Sequence, residues 1–347
     1  MVHMVFAIMM FQDAARNHNG KESSEALNSS SDLHYHFALS KFYDLSCSHT
    51  LQDVQAMAMI CFHLRGFSKP DCSWIMASHT MTLCKELGLH RSAKIVDPSN
   101  NLSAYDMEIR KRVFWCVLTL NVGLSGKLGR PIPIRMDDFD IEMPEPMDDD
   151  HLNECELPIE QRSGRCMHHI GIQNFKLYAL YLEMYMTIYA VRRHPETYIS
   201  TVADLEAKLT TWRNAWPQEL KSPRPACANR ALPLYLQLWY LEFKMLLRHP
   251  AVSLTSDHAY NSESTEICKD SAKQILQIVR GLKSVQSLDT TWYNAAVFVV
   301  AMTTMLFAVW EKNKQGLASI KDVNDVRHEM EEWLGIMGDV GHMLGEH

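Results

Sequence analysis

Three aspartates come nearest, in type and spacing, to residues that could do chemistry. Asp137, Asp138 and Asp140 form a close carboxylate group, and carboxylates are the ligands that hold Mg²⁺, for example against a diphosphate leaving group. In helical enzymes such carboxylates converge from positions i, i+1 and i+4 of one helix. Here Ile141 occupies the last position and prolines follow soon after, so the pattern favours a solvated acidic loop over a magnesium site.

Other groups of polar residues are equally poor catalytic candidates. A second metal motif beginning at Asn261 would need a glutamate where the chain has Lys269. Cys166, His168 and His169 are close in sequence, but adjacent histidines point to different sides of a helix. The chain contains neither Gly-x-Ser-x-Gly nor His-Glu-x-x-His. We therefore predict no catalytic residue, no metal ligand and no cofactor in this chain.

Composition narrows the class of protein. The 347 residues include 34 basic and 41 acidic ones, a net charge of -7, and 47% are hydrophobic. These values are typical of a globular chain and exclude a disordered one. The acidic balance argues against an autonomous nucleic-acid binder, because phosphate binding needs a surplus of Lys and Arg.

The nine cysteines predict reduced, mostly buried thiols. Their number is odd and no two form a Cys-x-x-Cys pair, so neither a disulfide framework nor a structural zinc site is expected. The apolar opening, residues 1–11, has no basic region typical of a secretory signal. It resembles the interior of a helix, and we expect a chain that is truncated within a domain.

The elements that would position these residues are helices. Apolar side chains recur at three- and four-residue spacing from Leu51, again from about Ser73, and throughout the second half. Gly88 is expected to end the second helix of a hairpin through a left-handed residue. No segment shows strand alternation. We predict an all-α fold, a single helical domain over 1–347, with a polar loop at 17–32 and an exposed acidic, proline-rich loop at 137–164.

The segment 292–310 is long and apolar enough to cross a membrane, since it holds 19 residues without a charge. Asn294, Thr303 and Thr304 interrupt it, and the neighbouring helices are amphipathic as in helical bundles that do not span membranes. The sequence therefore favours a helix buried at the centre of a large domain. A membrane-associated protein remains an alternative at this point.

A resemblance to a known family rests on one block of about a hundred residues, 50–150. The order and spacing of its residues is similar to the fungal-specific transcription factor regulatory domain, the middle homology region of zinc binuclear cluster activators. The matching residues are Leu87, Gly88, Leu89, His90, Arg91, Arg110, Arg112, Phe114, Trp115, Ser125, Gly129, Arg130 and Pro131, followed by the acidic, proline-rich stretch.

The resemblance implies an all-α domain that regulates transcription in the nucleus. In the family this domain follows a six-cysteine zinc cluster that binds DNA, often as a dimer, and in some members it senses a metabolite. The zinc cluster is missing from this sequence, so zinc and DNA contacts are assigned to no residue here. Asn121 and Val122 replace the Asp and Arg usual in the family, which predicts the loss of an internal ion pair.

We expect a non-catalytic transcription regulator whose partners are a small-molecule effector or a co-regulator. It would contact DNA only through the missing module, would have no membrane partner, and would be able to form a homodimer. Within the block, Gly88 and Gly129 would allow positive φ at helix ends, Trp115 would be a core aromatic, and Arg112 and Arg130 would pair with the acidic loop. The alternative is a helical enzyme of terpene-synthase type, which would use the three aspartates.

Overall fold

The protein is described by a computed structural model. It covers residues 1–16, 21–66, 70–96, 99, 101–147, 168–192, 194–221, 230–288, 291–314, 316 and 319–343. Within these ranges every regular element is helical and no strand occurs, so the prediction of an all-α fold is confirmed. Contacts divide the chain into two compact units, Met1–Glu183 and Met184–His347. The single-domain interpretation stays a prediction, because this division does not test whether either unit folds alone.

The first unit is built from seven helices and most of an eighth among its described residues. They are α1 (Val2–Arg16), α2 (Lys21–Ser40), α3 (Phe42–Ser48), α4 (Leu51–Leu64), α5 (Pro70–Glu86), α6 (Ala93–Val96), α7 (Ala104–Lys127) and α8 (His169–Thr187), which continues into the second unit. Helices α1 and α2 form one antiparallel pair, and α4, α5 and α7 pack together around a second core.

Local signals in the sequence set several of these helix ends. Thr50 begins α4 with a capping box, in which its hydroxyl accepts from the Asp53 amide and the Asp53 carboxylate accepts from the Thr50 amide. Ser103 caps α7, since its hydroxyl accepts from the Asp106 amide at 3.0 Å and donates to the Asp106 carboxylate at 2.6 Å. In both cases a hydroxyl residue is followed three positions later by an aspartate, the spacing at which such residues cap a helix start.

The predicted polar loop at 17–32 is wrong over residues 21–32, which form the first half of α2; residues 17–20 lie outside the described part. This polar helix is held by packing against α1. Ser31 is buried and donates a 2.7 Å hydrogen bond to the carbonyl of Ala7, and Tyr35 is also buried. Tertiary contacts thus override a composition that favours a loop.

The second unit is a helical layer around its own core. Its further helices are α9 (Tyr198–Asn214), α10 (Gln218–Lys221), α11 (Ala231–Arg248), α12 (Ala251–Leu254), α13 (His258–Ser284), α14 (Trp292–Lys314) and α15 (Ile320–Met343). Helix α13 packs on α11 and α14, and α14 packs on α15. Phe298 and Trp333 are fully buried at the centre, with ring centroids 5.5 Å apart.

Helix α14 is only partly the buried helix that the sequence predicted. One face, including Phe298, Ala301 and Met305, is buried between α13 and α15. The opposite face exposes Leu306 and Trp310, the latter at 56%. Residues Asn294–Lys314 are long and apolar enough to cross a membrane, and this is the one such helix among the described residues. The prediction of a helix buried at the centre of a domain therefore holds for one face and is wrong for the other, because neighbouring helices pack on one side of α14 and leave the opposite side uncovered.

Candidate functional site

The end of α5 positions the first group of motif residues. Gly88 has φ +62°, and the amide of Leu89 donates to the carbonyl of Cys84 over 2.9 Å, which is the pattern of a left-handed helix cap. Arg110, from α7, donates from Nη2 to the carbonyls of Leu87 and Gly88, at 3.2 and 3.1 Å. A cation of α7 therefore satisfies the free carbonyls where α5 ends, and the predicted helix stop at Gly88 is confirmed.

The chain after α7 returns as an irregular stretch, residues 136–147, which we call the acidic segment. Asp140 is held at the helix-α5 end of the site: Arg91 donates to its two carboxylate oxygens at 3.1 and 3.3 Å, and the amide of Ser92 donates at 2.8 Å. The amides of Asp140 and Ile141 both donate to the carbonyl of His90. The hydrogen bonds from Arg91 and from the Ser92 amide lower the pKa of Asp140 below its ordinary value.

A buried ion pair on α7 holds the other end of the acidic segment. The Glu108 side chain is 3% exposed and accepts from Arg112 Nε at 3.1 Å and from Lys111 Nζ at 3.4 Å. The same carboxylate accepts from the amide of Glu145 at 2.9 Å. Arg112 in turn donates from Nη2 to the carbonyl of Met147 at 2.6 Å. The pair therefore fixes two backbone groups of the acidic segment onto α7.

Aromatic side chains fill the space beneath the acidic segment. Phe114 and Trp115 are buried on α7, and both contact the ring of Phe139, with centroids 5.3 and 5.8 Å away. The indole Nε1 of Trp115 donates to the carbonyl of Glu142 over 3.0 Å. Trp115 is thus a core aromatic, as predicted, and it also anchors the backbone of the acidic segment.

The last motif residues close the far end of α7. Gly129 has φ +62°, and the Arg130 amide donates to the carbonyl of Ser125 over 2.8 Å, so this helix end has the predicted left-handed stop. The Ser125 hydroxyl, fully buried, accepts from Trp74 Nε1 at 3.2 Å. The Arg130 guanidinium lies over the same indole, 4.6 Å from its centroid. Pro131 follows as an exposed residue outside the helix.

The structure thus brings the motif residues into one continuous arrangement, which we call the clasp. It consists of three parts: the C-terminal end of α5, the whole of α7, and the acidic segment. Arg112 contacts the acidic segment as expected, through the Met147 carbonyl. For Arg130 the pairing with this loop stays a prediction. Sequence reasoning missed Glu108 and Ser92. The four-residue spacing of Glu108 and Arg112 was the available signal, since such pairs share a helix face.

The acidic segment is exposed through its carboxylates and buried through its apolar residues. Asp137, Asp138 and Asp140 are exposed, whereas Ile141 and Met147 are buried. The expectation of a wholly exposed loop at 137–164 is therefore wrong for these apolar side chains, and residues 148–164 lie outside the described part. This non-helical backbone can be covered because its amides and carbonyls form hydrogen bonds with α7 and with the residues that follow α5.

The carboxylates do not assemble a metal centre. Asp138 accepts from the amide of Arg135 at 2.7 Å and Asp140 binds Arg91. Over the described ranges, no group of three or more His, Cys, Asp or Glu side chains is placed to hold a metal ion. The geometry required by the terpene-synthase alternative is therefore not formed by these aspartates.

The described cysteines also fail to form a cluster. Cys61, Cys84 and Cys268 are buried, whereas Cys47, Cys72 and Cys116 are exposed, and all are free thiols; the other three lie outside the described residues. The expectation of mostly buried thiols thus holds for half of those described. They are dispersed over five helices, which does not fit a six-cysteine zinc cluster.

Asn121 marks the departure from the family pattern. It is fully buried on α7, and among the described residues neither its amide nitrogen nor its amide oxygen has a hydrogen-bond partner. Two residues further along the same helix, Gly123 lies against Tyr178 of α8, where an added Cβ would meet the phenol oxygen at 3.0 Å. The absence of a side chain at Gly123 allows this close approach of two helices.

Comparison with known proteins identifies the family of this arrangement. The sequence profile of the family described as fungal specific transcription factor domain matches residues 2–214, more than half of the chain and all of the clasp. No solved structure gives a significant match.

Several curated fungal proteins are similar over much of the chain. "Activator of stress genes 1" of Saccharomyces cerevisiae is 24% identical over 314 residues, which is 86% of this chain and 32% of that protein. An "ABC-transporter-regulating transcription factor" of Aspergillus fumigatus is 24% identical over 56% of this chain and 21% of its own length. "Transcriptional activator protein acu-15" of Neurospora crassa is 27% identical over 65% of this chain and 24% of its own. The chain spans about a third of the first relative's length and less of the other two.

Proposed function

The chain belongs to the fungal specific transcription factor domain family, and from this premise we propose that it is the helical regulatory region of a transcription regulator. The observation that carries the proposal is the family match over residues 2–214, which includes every residue of the clasp. The names of the relatives, two activators and a transcription factor, support it. The proposed role is non-catalytic and is exercised in the nucleus.

The clasp offers a physical basis for regulation. The acidic segment is attached to α5 and α7 by named hydrogen bonds, while Asp137 and Asp138 face solvent. Attached, the segment presents a fixed acidic surface; released, it would uncover Phe114 and Trp115. A co-regulator that binds one of these two states better than the other would shift the balance between them.

Contact with DNA is assigned in this proposal to a module other than these residues. The net charge is -7, which opposes phosphate binding by the chain itself. The six cysteines in the described part of the chain are spread over five helices and do not fit the family's zinc cluster, so no zinc-dependent step is derived from them. Once that module has placed the chain at a promoter, the chain would change the rate at which the gene is transcribed.

A reporter assay tests this function. The chain is fused to a heterologous DNA-binding domain in yeast, with a reporter gene behind the matching operator. We expect reporter expression to differ severalfold from that with the DNA-binding domain alone. Glu108→Ala, which removes the buried anchor of the acidic segment, should change this effect. Glu331→Ala should not, because the pair that Glu331 forms with Arg327 on α15 is exposed.

Equal reporter expression with and without the chain, at equal nuclear levels of the two proteins, would contradict the proposal. Nuclear levels are measured by microscopy of a fluorescent fusion, which also tests the proposed location. A chain that is kept out of the nucleus when expressed without the heterologous domain would contradict the location alone.

Self-association and independence from membranes complete the proposal. Helices α1 and α2 expose apolar side chains such as Phe6, Met9 and Phe37, and a patch of this kind favours association. Light scattering should give twice the mass of 39.9 kDa for a homodimer. The packing of α14 on α13 and α15 supports a chain that works without inserting into a bilayer, which extraction without detergent would test.

A further inference from the structure

The second unit contains a cavity outside the clasp. It measures about 590 Å³ and lies among α11, α12, α13 and α14, a size typical of small-molecule sites. Pro250, Val252, Cys268 and Phe307 contribute much of its wall. Except for Tyr189, its lining lies beyond the residues matched by the family profile.

Most hydroxyl groups around this cavity are already satisfied by their own helices. Each donates to a backbone carbonyl of the preceding turn, at 2.7 to 3.0 Å, and so presents mainly carbon to the interior. These residues are Ser253, Thr265, Thr303 and Thr304. The cavity therefore has a largely apolar wall despite its polar composition.

Two buried polar atoms depart from this rule. Ser264 is 1% exposed and Arg248 is 8% exposed, and both line the cavity. Within the described ranges, neither Ser264 Oγ nor Arg248 Nη1 has a hydrogen-bond partner. Buried polar atoms without partners are rare and costly, and two of them on one cavity indicate a ligand that supplies the missing partners.

The charge of Arg248 is already matched. Its Nε and Nη2 donate to the two oxygens of Glu206 at 2.7 and 2.6 Å. Burial alone would lower the pKa of the guanidinium, but these hydrogen bonds raise it above its ordinary value. Nη1 carries two further N–H donors. Because the charge of the guanidinium is already neutralised by Glu206, these donors need an acceptor but add no attraction for an anion.

We propose that this cavity binds an apolar small molecule bearing a neutral oxygen acceptor, a carbonyl or a hydroxyl, that faces Arg248 and Ser264. The acceptor would take the hydrogen bond offered by Arg248 Nη1 and the one offered by the Ser264 hydroxyl, and the rest would lie against Val252, Cys268 and Phe307. The inference goes beyond the proposed function, and binding by the purified chain tests it whether or not the chain regulates transcription.

The binding test uses Nile red, a neutral apolar fluorophore with a carbonyl, titrated into the full chain. We expect saturable, blue-shifted fluorescence. Thr303→Phe places a bulky side chain at the cavity from an exposed position and should weaken Nile red binding about tenfold or more. Thr211→Phe is the matched control, because Thr211 is an exposed threonine of α9 with the same kind of hydroxyl-to-carbonyl bond, outside the cavity lining. Its binding should equal that of the unmodified chain.

Ser264→Ala keeps the test decisive if the phenylalanine variant fails to fold. Loss of one hydrogen bond should weaken binding of Nile red about two- to tenfold. Without the probe, the same variant should unfold at a higher temperature, since it removes an unsatisfied buried hydroxyl. Displacement of Nile red by 2-undecanone at lower concentration than by undecanoate would support a neutral acceptor.

Three outcomes would overturn the inference. They are the absence of saturable binding, equal affinity of the Thr303→Phe and Thr211→Phe variants, and stronger displacement by undecanoate than by the ketone. The last would mean that the site prefers an anion, contrary to the matched charge of Arg248.

Discussion

Glu108 is the residue whose removal should most directly open the clasp. Its side chain is 3% exposed, and its two cationic partners, Arg112 and Lys111, are 14% and 15% exposed. Removing one member of a buried ion pair costs about 3–5 kcal/mol, and an amide left without its acceptor adds about 1–3 kcal/mol. Because Arg112 keeps the Met147 carbonyl as a partner, we expect the lower end, about 3 kcal/mol for Glu108→Ala.

Urea unfolding followed by far-UV circular dichroism measures this loss. With a slope of about 3 kcal/mol per molar urea, the midpoint should fall by about 1 M. Hydrogen exchange gives the local readout: the amide of Glu145, which donates to Glu108, should exchange faster, together with its neighbours in the acidic segment. The control Glu331→Ala breaks a pair of the same four-residue spacing whose members are 78% and 61% exposed, and should cost below about 1 kcal/mol.

The reasoning would be refuted by equal destabilisation in the two variants. It would also be refuted by a destabilised Glu108→Ala chain whose acidic segment keeps its original exchange protection, because the carboxylate would then stabilise α7 without holding the segment. Glu108→Gln separates charge from hydrogen bonding: the amide oxygen can still accept from the Glu145 amide, so protection of that amide should be partly retained.

Three further perturbations give signed expectations. Since its hydrogen bonds lower the pKa of Asp140, this carboxylate contributes stability above its unfolded pKa of about 3.9. That stability is lost as pH falls through the folded value. Asp140→Asn should therefore reduce the drop in melting temperature between about pH 6.5 and pH 3. Asn121→Leu should raise the free energy of unfolding by about 1–3 kcal/mol, because among the described residues both polar atoms of this buried amide lack partners; a lower value in urea unfolding would argue against that view. Gly129→Ala should lower the free energy of unfolding by about 1 kcal/mol, because Gly129 has a positive φ, although no atom lies within 4 Å of an added Cβ. Gly335 is equally open but lies inside α15, so Gly335→Ala should raise this free energy by about 1 kcal/mol. Thermal melts that show the same sign for both variants would contradict this conformational argument.

Several features were accessible to sequence reasoning because they depend on neighbours along the chain. Capping pairs fixed the starts of α4 and α7, and Gly88 and Gly129 ended helices through positive φ. These signals act within about one helical turn, so no knowledge of the rest of the fold is needed to interpret them. The order of the motif residues likewise predicted the family to which the chain belongs.

The misjudged elements are those whose environment is distant in sequence. The polar segment 21–32 becomes a helix because α1 covers one side of it. Helix α14 leaves Trp310 exposed because its packing against α13 and α15 covers the other side of the helix. Periodicity reports which residues favour one face, but not whether a neighbour is present to cover that face.

The sequence by itself determined that this protein is helical, where α4 and α7 begin and where α5 and α7 end, and which family it belongs to, since all three follow from local spacing and residue type. Only the tertiary structure decided what the motif residues do. Arg91 meets Asp140 across 49 positions, and Arg112 meets Met147 across 35. Arg248 and Ser264, 16 positions apart, line one cavity. Such juxtapositions arise from packing among elements distant in the chain, and residue spacing carries no record of them.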